Sequence, residues 1–175
     1  MSALTESPST TVSGQLPADC GGKAAGLLEL QSAGFCVPTF VVSPPDIRAA
    51  VDSLGLPLAV RSSASVEDGA VVSFAGQFQS FLNLRTLEEV EEAVCKCRAS
   101  LGEPSVIEYC RRNGVDPQSI RMEVIIQQMI APELAGVAFT VNPVTGAEEV
   151  TIEACAGLAD ELLAGHIQAV PTEHP

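Results

Sequence analysis

Apolar residues in this chain come in short runs of two different periods, punctuated by glycine and proline, and no run reaches 18 residues. A helix crossing a bilayer needs about that length, so these runs are expected to bury against one another in a soluble globule. With 46% of its 175 residues apolar, the chain is long enough to bury a core as one domain or two small lobes.

The first half alternates helix and strand. Ala25, Leu27, Leu28 and Leu30 lie among small residues from Gly22 to Ala33, and Gly34 follows as a stop, which predicts a helix opening on Gly-Gly-Lys. Residues 37–42 read as a strand, with proline near its start. Ser43 is expected to cap a second helix, with Pro44 or Pro45 in its first turn and Gly55 past its end. Residues 57–62 form the next strand. A further one alternates Phe78, Ser80, Leu82 and Leu84 with Gln79, Phe81 and Asn83, at least partly buried on both sides. Thr86 and Glu89 make a capping-box pattern before a helix whose Leu87, Val90, Val94, Cys97 and Leu101 recur at steps of three and four.

A further helix over about 104–113 stops at Gly114. Strands at 121–130, 135–141 and 148–154 follow, the last two joined as a hairpin through Asn142-Pro-Val-Thr-Gly146, and a short helix at 159–164 closes the series. Such an order, βα then antiparallel strands, predicts the α+β class with mixed or antiparallel sheets. Residues 1–16, rich in Ser, Thr and Pro, read as a flexible tail, 17–171 as the folded body, and 172–175 as a C-terminal tail.

Twenty-two acidic residues against nine basic ones, net −13, leave no basic patch for a nucleic-acid backbone or an anionic lipid surface. Both partners are excluded as expectations, and a phosphate-rich ligand would need locally placed cations and backbone N–H groups. The six cysteines are expected as free thiols in a reducing cytoplasm. Cys95 and Cys97 have one residue between them where zinc pairs take two to four, and neither His166 nor His174 supplies further ligands, so no metal site is read there.

Two segments suit phosphate chemistry. Gly21-Gly22-Lys23 opens a helix, where exposed N–H groups and the dipole favour an anion and the lysine adds a full charge. It is no Walker A loop, because Pro17 and Ala24 stand where a glycine and a hydroxyl residue belong. An ordinary exposed lysine is the alternative. In Val60-Arg61-Ser62-Ser63-Ala64-Ser65 an arginine ends an apolar strand and hydroxyl residues begin a loop running to Gly76. Its guanidinium can fork onto phosphate oxygens, and the hydroxyls can bond them or order the loop; alternatively Arg61 pairs with Glu67 or Asp68.

These residues carry a resemblance. Gly-Gly-Lys-Ala-Ala-Gly-Leu (21–27), Ala-Gly-Phe-Cys-Val-Pro (33–38), Val-Arg-Ser-Ser-Ala-Ser-Val-Glu-Asp (60–68) and Ser-Phe-Ala-Gly-Gln (73–77) look like the nucleotide-binding domain shared by phosphoenolpyruvate synthases, pyruvate phosphate dikinases and rifampin phosphotransferases. So do Gln-Gln-Met-Ile (127–130), Gly-Val-Ala-Phe-Thr-Val-Asn-Pro-Val-Thr-Gly (136–146) and Gly-Leu-Ala-Asp-Glu-Leu-Leu-Ala-Gly (157–165), all in family order.

The resemblance implies an ATP-grasp-like fold with nucleotide between two α+β lobes, the second incomplete. It implies that Lys23 and Arg61 contact ATP phosphates, that Gly76 lets backbone approach the nucleotide, and that Ser80 keeps a hydroxyl in the site. Gln127 falls on a family nucleotide contact, and Met129 and Ile130 would border adenine, the alternative for these two being ordinary core. The family also supplies an Asp-Ile-Glu-Trp-like segment and a Gln-x-Arg strand, neither of which occurs here, so Mg2+ ligands are expected from outside the chain.

Glu153, Asp160 and Glu161 match other family positions and are not assigned to metal, and Gly157-Leu-Ala-Asp160 departs from the Gly-Leu-Gly-Glu of relatives. The phosphate-carrying histidine of dikinases lies in a separate domain. The expectation is therefore an ATP-binding piece of a split or truncated dikinase whose histidine sits on another domain or subunit, no catalytic residue being assigned in the chain. A non-catalytic nucleotide-binding or regulatory module is the second reading, and a degenerate fragment serving only packing is the third.

Overall fold

The computed structural model of the protein describes residues 20–65, 78–163 and 170–171. Two units divide the chain, residues 1–129 and 130–175. The expected tails and Gly76, Glu67, Asp68, His166 and His174 lie outside the described residues.

The first unit is built on a four-stranded sheet of β1 (Phe40–Val42), β2 (Leu58–Ala64), β3 (Ser80–Leu84) and β4 (Met122–Gln128), in the order β1-β4-β2-β3 with every pair antiparallel. Alternation along the strands sends two sets of side chains to opposite faces. Val41, Leu58, Val60, Val124 and Ile126 point one way and bury against Ala50, Val51 and Leu54 of α2 (Ile47–Leu54) and Val90, Ala93, Val94 and Cys97 of α3 (Leu87–Ala99). Phe40 and Ile125 point the other way and bury against Ala24 and the partly buried Leu27 and Leu28 of α1 (Gly22–Ser32). At the sheet end, Val106 and Cys110 of α4 (Pro104–Asn113) pack with Ala64, Phe78 and Ile120. Each Val or Ile buried in this way contributes about 1.5 to 3 kcal/mol.

Local chemistry accounts for the helix ends. Around α3 the capping box is complete: Glu89 N–H donates to Thr86 Oγ1 at 3.2 Å, and the Glu89 carboxylate accepts from Thr86 N–H at 3.2 Å. Helix α4 stops at Gly114, whose φ of 66° is left-handed and suits a residue without Cβ. For α2 the cap differs from expectation. Asp46, not Ser43, accepts from the Ala49 N–H at 3.0 Å, and both prolines precede the helix. Ser43 is instead tied to the sheet, its Oγ accepting from Val124 N–H at 3.0 Å and its own N–H donating to Val124 O at 2.7 Å.

Two further expectations change. Strand β2 does not give way to a loop after Arg61, because β4 continues opposite it and pairs Ser62 with Val124, Ser63 with Glu123 and Ala64 with Met122. Strand β3 does not alternate strictly: Leu58 faces Leu84 and Val60 faces Phe81, so β3 carries one extra residue, and Asn83 takes a φ of 59° there. That bulge turns both Phe81 and Leu84 toward the core while Leu82 stays 38% exposed.

The second unit is a three-stranded antiparallel sheet, β5 (Leu134–Phe139), β6 (Thr151–Ala156) and β7 (Val170–Pro171), with a four-residue α5 (Asp160–Leu163) between the last two. The predicted hairpin joins β5 to β6. Asn142 Oδ1 accepts from the N–H groups of Val144 and Thr145, and Gly146 N–H returns to Asn142 O at 2.8 Å. β6 begins and ends later than the periodicity predicts, and β7 was not anticipated.

All six cysteines are free thiols; Cys97 and Cys110 are buried while Cys36 and Cys95 are exposed. No helix among the described residues is long and apolar enough to cross a membrane. Burial pushes the Cys97 thiol up to about 11, opposed by the charge of Lys23. An unfolded chain releases that proton near its ordinary value while the native one keeps it, so stability should fall as pH rises from about 9 toward 11. Urea titrations at pH 8 and 10 should record this drop, and Cys97→Ala should reduce it, the buried Cys110 thiol, also pushed up by burial, keeping a share. Thr86→Ala should lower stability by about 1 kcal/mol through loss of the cap.

Candidate functional site

Side chains directly opposite each other in an antiparallel ladder share a face, so the register sets which candidates meet. Arg61 pairs with Ile125 on one side and Ser80 on the other, and Gln127 pairs with Ala59 and Phe40. Arg61, Ser63, Ser80 and Gln127 therefore occupy the face that α1 covers. The helix begins there at Gly22, and Lys23 is its second residue.

What brings α1 to that position is a bond across the fold. The cap residue Gly21 offers no side chain, and the cap comes instead from Ser63, whose Oγ accepts from Ala24 N–H at 3.0 Å and donates to Cys20 O at 2.8 Å. Ser63 is fully buried. Gly21 has a φ of 78°, and a Cβ there would overlap the Ser63 carbonyl, so only glycine permits this approach. Ala25 N–H makes the first bond within the helix, to Gly21 O at 3.0 Å. The N–H groups of Gly22 and Lys23 thus lie in the first turn, where the helix dipole favours an anion.

Arg61 is held from the neighbouring strand. Its Nη1 donates to Gln127 Oε1 at 3.4 Å, a long bond, and Gln127 Nε2 donates to Pro38 O at 3.2 Å. Gln127 is buried at 6% exposure, so its amide is fixed at both ends. Ser80 is exposed on β3. Met129, partly buried, leaves β4 with its N–H on Pro57 O at 3.1 Å, and Ile130 is 53% exposed at the start of the second unit. Gly76 lies outside the described residues.

The serines after Arg61 serve structure. Ser62 Oγ donates to Gln79 O at 3.1 Å, Ser63 caps α1, and Ser65 Oγ accepts from Arg121 N–H at 3.1 Å. The sequence pattern offers all of these hydroxyls to phosphate or to loop order and does not single out Ser63. The signal that could have found its role is the pairing of a cap position lacking a side chain, Gly21, with a hydroxyl on a buried strand.

Among the described residues no group of three His, Cys, Asp or Glu side chains stands together as a metal cage.

Residues 44–171 match the family described as pyruvate phosphate dikinase, AMP/ATP-binding domain. The chain belongs to this family. A probable phosphoenolpyruvate synthase from Methanothermobacter thermautotrophicus is 42% identical over 110 residues, 63% of this chain and 16% of that protein. A rifampicin phosphotransferase from Streptomyces sviceus is 42% identical over 108 residues, 61% of this chain and 12% of that protein. The chain thus spans a small fraction of the length of the curated relatives it matches. Among solved structures, a dinucleotide-forming acetyl-coenzyme A synthetase of Candidatus Korarchaeum cryptofilum aligns with a TM-score of 0.36 at 17% identity, over 82% of this chain and 64% of that one.

Substituting Gly21→Ala should force Ser63 and the start of α1 apart. The expected loss is about 1 to 3 kcal/mol, typical of overpacking, read by thermal or urea unfolding.

Proposed function

We propose that the chain binds ATP on the α1 face of its four-stranded sheet, as the nucleotide-binding part of a dikinase-type phosphotransferase. One observation carries the reading: a helix N-terminus bearing Lys23 is fastened by Ser63 to the strand that also bears Arg61, within a chain that belongs to an AMP/ATP-binding family. Lys23, Arg61 and the first-turn N–H groups of α1 would meet the phosphates. Gln127 would aim the Arg61 guanidinium, and Ser80, opposite Arg61 on β3, would offer a hydroxyl. Gly76 would admit the nucleotide to the backbone, and Met129 and Ile130, on the chain leaving β4, would border the base.

In the family reading, the phosphoryl group passes from ATP to a histidine on another domain or subunit, and then to pyruvate or a similar acceptor. The work of this chain's own residues would be to bind and orient the triphosphate. In an acidic protein that work falls on a few cations, since a charge-assisted bond to phosphate contributes about 1.5 to 3 kcal/mol. The metal would be held by groups supplied from elsewhere.

That neither the Asp-Ile-Glu-Trp-like segment nor the Gln-x-Arg strand occurs in the sequence supports a second reading, a nucleotide-binding or regulatory module without catalysis. The two part on transfer. When the chain is mixed with a relative's phosphohistidine domain and labelled ATP, the first reading expects label on histidine and the second expects binding without transfer.

Isothermal titration of the chain with Mg-ATP should show binding, weakened about 10- to 150-fold in Arg61→Ala as phosphate charge goes uncompensated. No heat with ATP, ADP or AMP would rule out both readings.

A further inference from the structure

We propose that Ser63 is a positioning residue for phosphate recognition: it fixes the distance between Lys23 and Arg61 without touching nucleotide. The inference rests on the ATP-binding reading and extends it to a residue outside the proposed contacts.

Ser63 has no donor left for a phosphate oxygen. It is fully buried, its one hydroxyl proton goes to Cys20 O, and its oxygen accepts from Ala24 N–H. Those two partners bracket the start of α1, one before Gly21 and one after Lys23. Because Gly21 carries no Cβ, the helix start comes down onto the Ser63 carbonyl as well as onto its hydroxyl. Lys23 is thereby clamped between two points of attachment to β2.

Arg61 lies two residues back on the same strand and the same face, about 7 Å away along a backbone paired with β4 throughout and with β3 as far as Arg61. The ladder to β4 and the Gln127 amide hold Arg61. Ser63 therefore converts two cations 38 positions apart in sequence into one rigid pair. A loosened helix start would leave Lys23 attached to the chain but free to move relative to Arg61, and a triphosphate bound by both would lose the benefit of simultaneous contact.

A merely stabilising serine would lower the unfolding midpoint and nothing else. The distinction is measurable by titrating ATP, well below the unfolding temperature, into the unmodified chain, Lys23→Ala, Ser63→Ala and the double variant. Val94→Ala, a core change on the opposite sheet face, serves as a control for lost stability.

The expected result is ATP binding weakened about 5- to 20-fold in Ser63→Ala and unchanged in Val94→Ala. Lys23→Ala should cost at least about threefold less affinity in the Ser63→Ala background than alone, the coupling that a shared geometry requires. Should Ser63→Ala fail to fold, Ser63→Cys keeps the volume with a weaker bond and supports the same cycle. Equal Lys23→Ala losses in both backgrounds, or unmodified affinity in Ser63→Ala, would overturn the positioning role alone. No ATP binding by the unmodified chain would instead overturn the nucleotide reading, and this inference with it.

Discussion

The buried hydroxyl of Ser63, bonded at once to Cys20 O and Ala24 N–H, joins the start of α1 to the sheet. The seating of the α1 N-terminus on the first unit's sheet depends on that joint. The helix has no cap of its own, and its contacts with the sheet are modest, made by Ala24, Leu27 and Leu28 over Phe40 and Ile125. An 11-residue helix is marginal alone, so its position and its persistence both come from tertiary contacts. A buried hydroxyl left without partners would cost about 1 to 3 kcal/mol, and here both of its capacities are used. Ser62, Ser100 and Gln127 are bonded too, and no buried side-chain nitrogen or oxygen among the described residues lacks a partner.

The two sheet faces are therefore built by different means. The face under α2 and α3 is a continuous apolar core, insensitive to any single bond. The face under α1 mixes apolar residues with Arg61, Ser63 and Gln127, which must be satisfied individually. A site for a charged ligand belongs on the second kind of face, because polar groups held by directional bonds are preorganised while apolar ones only exclude water.

A net charge of −13 would seem to oppose an anionic ligand, yet distance decides which charges count. The acidic run of α3 is exposed, and Glu108 on α4 is already engaged by Arg111 and Arg112, which hold its carboxyl down at about 2. At physiological salt, exposed charges beyond about 8 Å are largely screened. Lys23, partly buried at the helix start, and Arg61, partly buried in the sheet, act over shorter range and through less water. In the proposed site, local placement is what would outweigh the overall balance.

Much of this was legible in the sequence. The capping box of α3, the glycine stop of α4, the α+β class and the Asn142 hairpin follow from residue chemistry acting over a few positions, and local bonds enforce them. The family blocks also singled out Lys23, Arg61 and Gln127, and of these the fold joins Arg61 to Gln127 by a hydrogen bond. Three things were decided only by the fold. Asp46 displaced Ser43 as a cap because the sheet claimed the Ser43 hydroxyl for Val124. The serines after Arg61 stayed in the ladder because β4 continued opposite them, and the bulge at Asn83 broke the alternation of β3. Ser63 acquired its role only when a helix 39 positions away came to rest on it. Sequence by itself determines propensities and caps, whose partners lie within a turn or two. Which distant group takes up the last hydrogen bond depends on strand pairing, and that exists only once the chain has closed on itself.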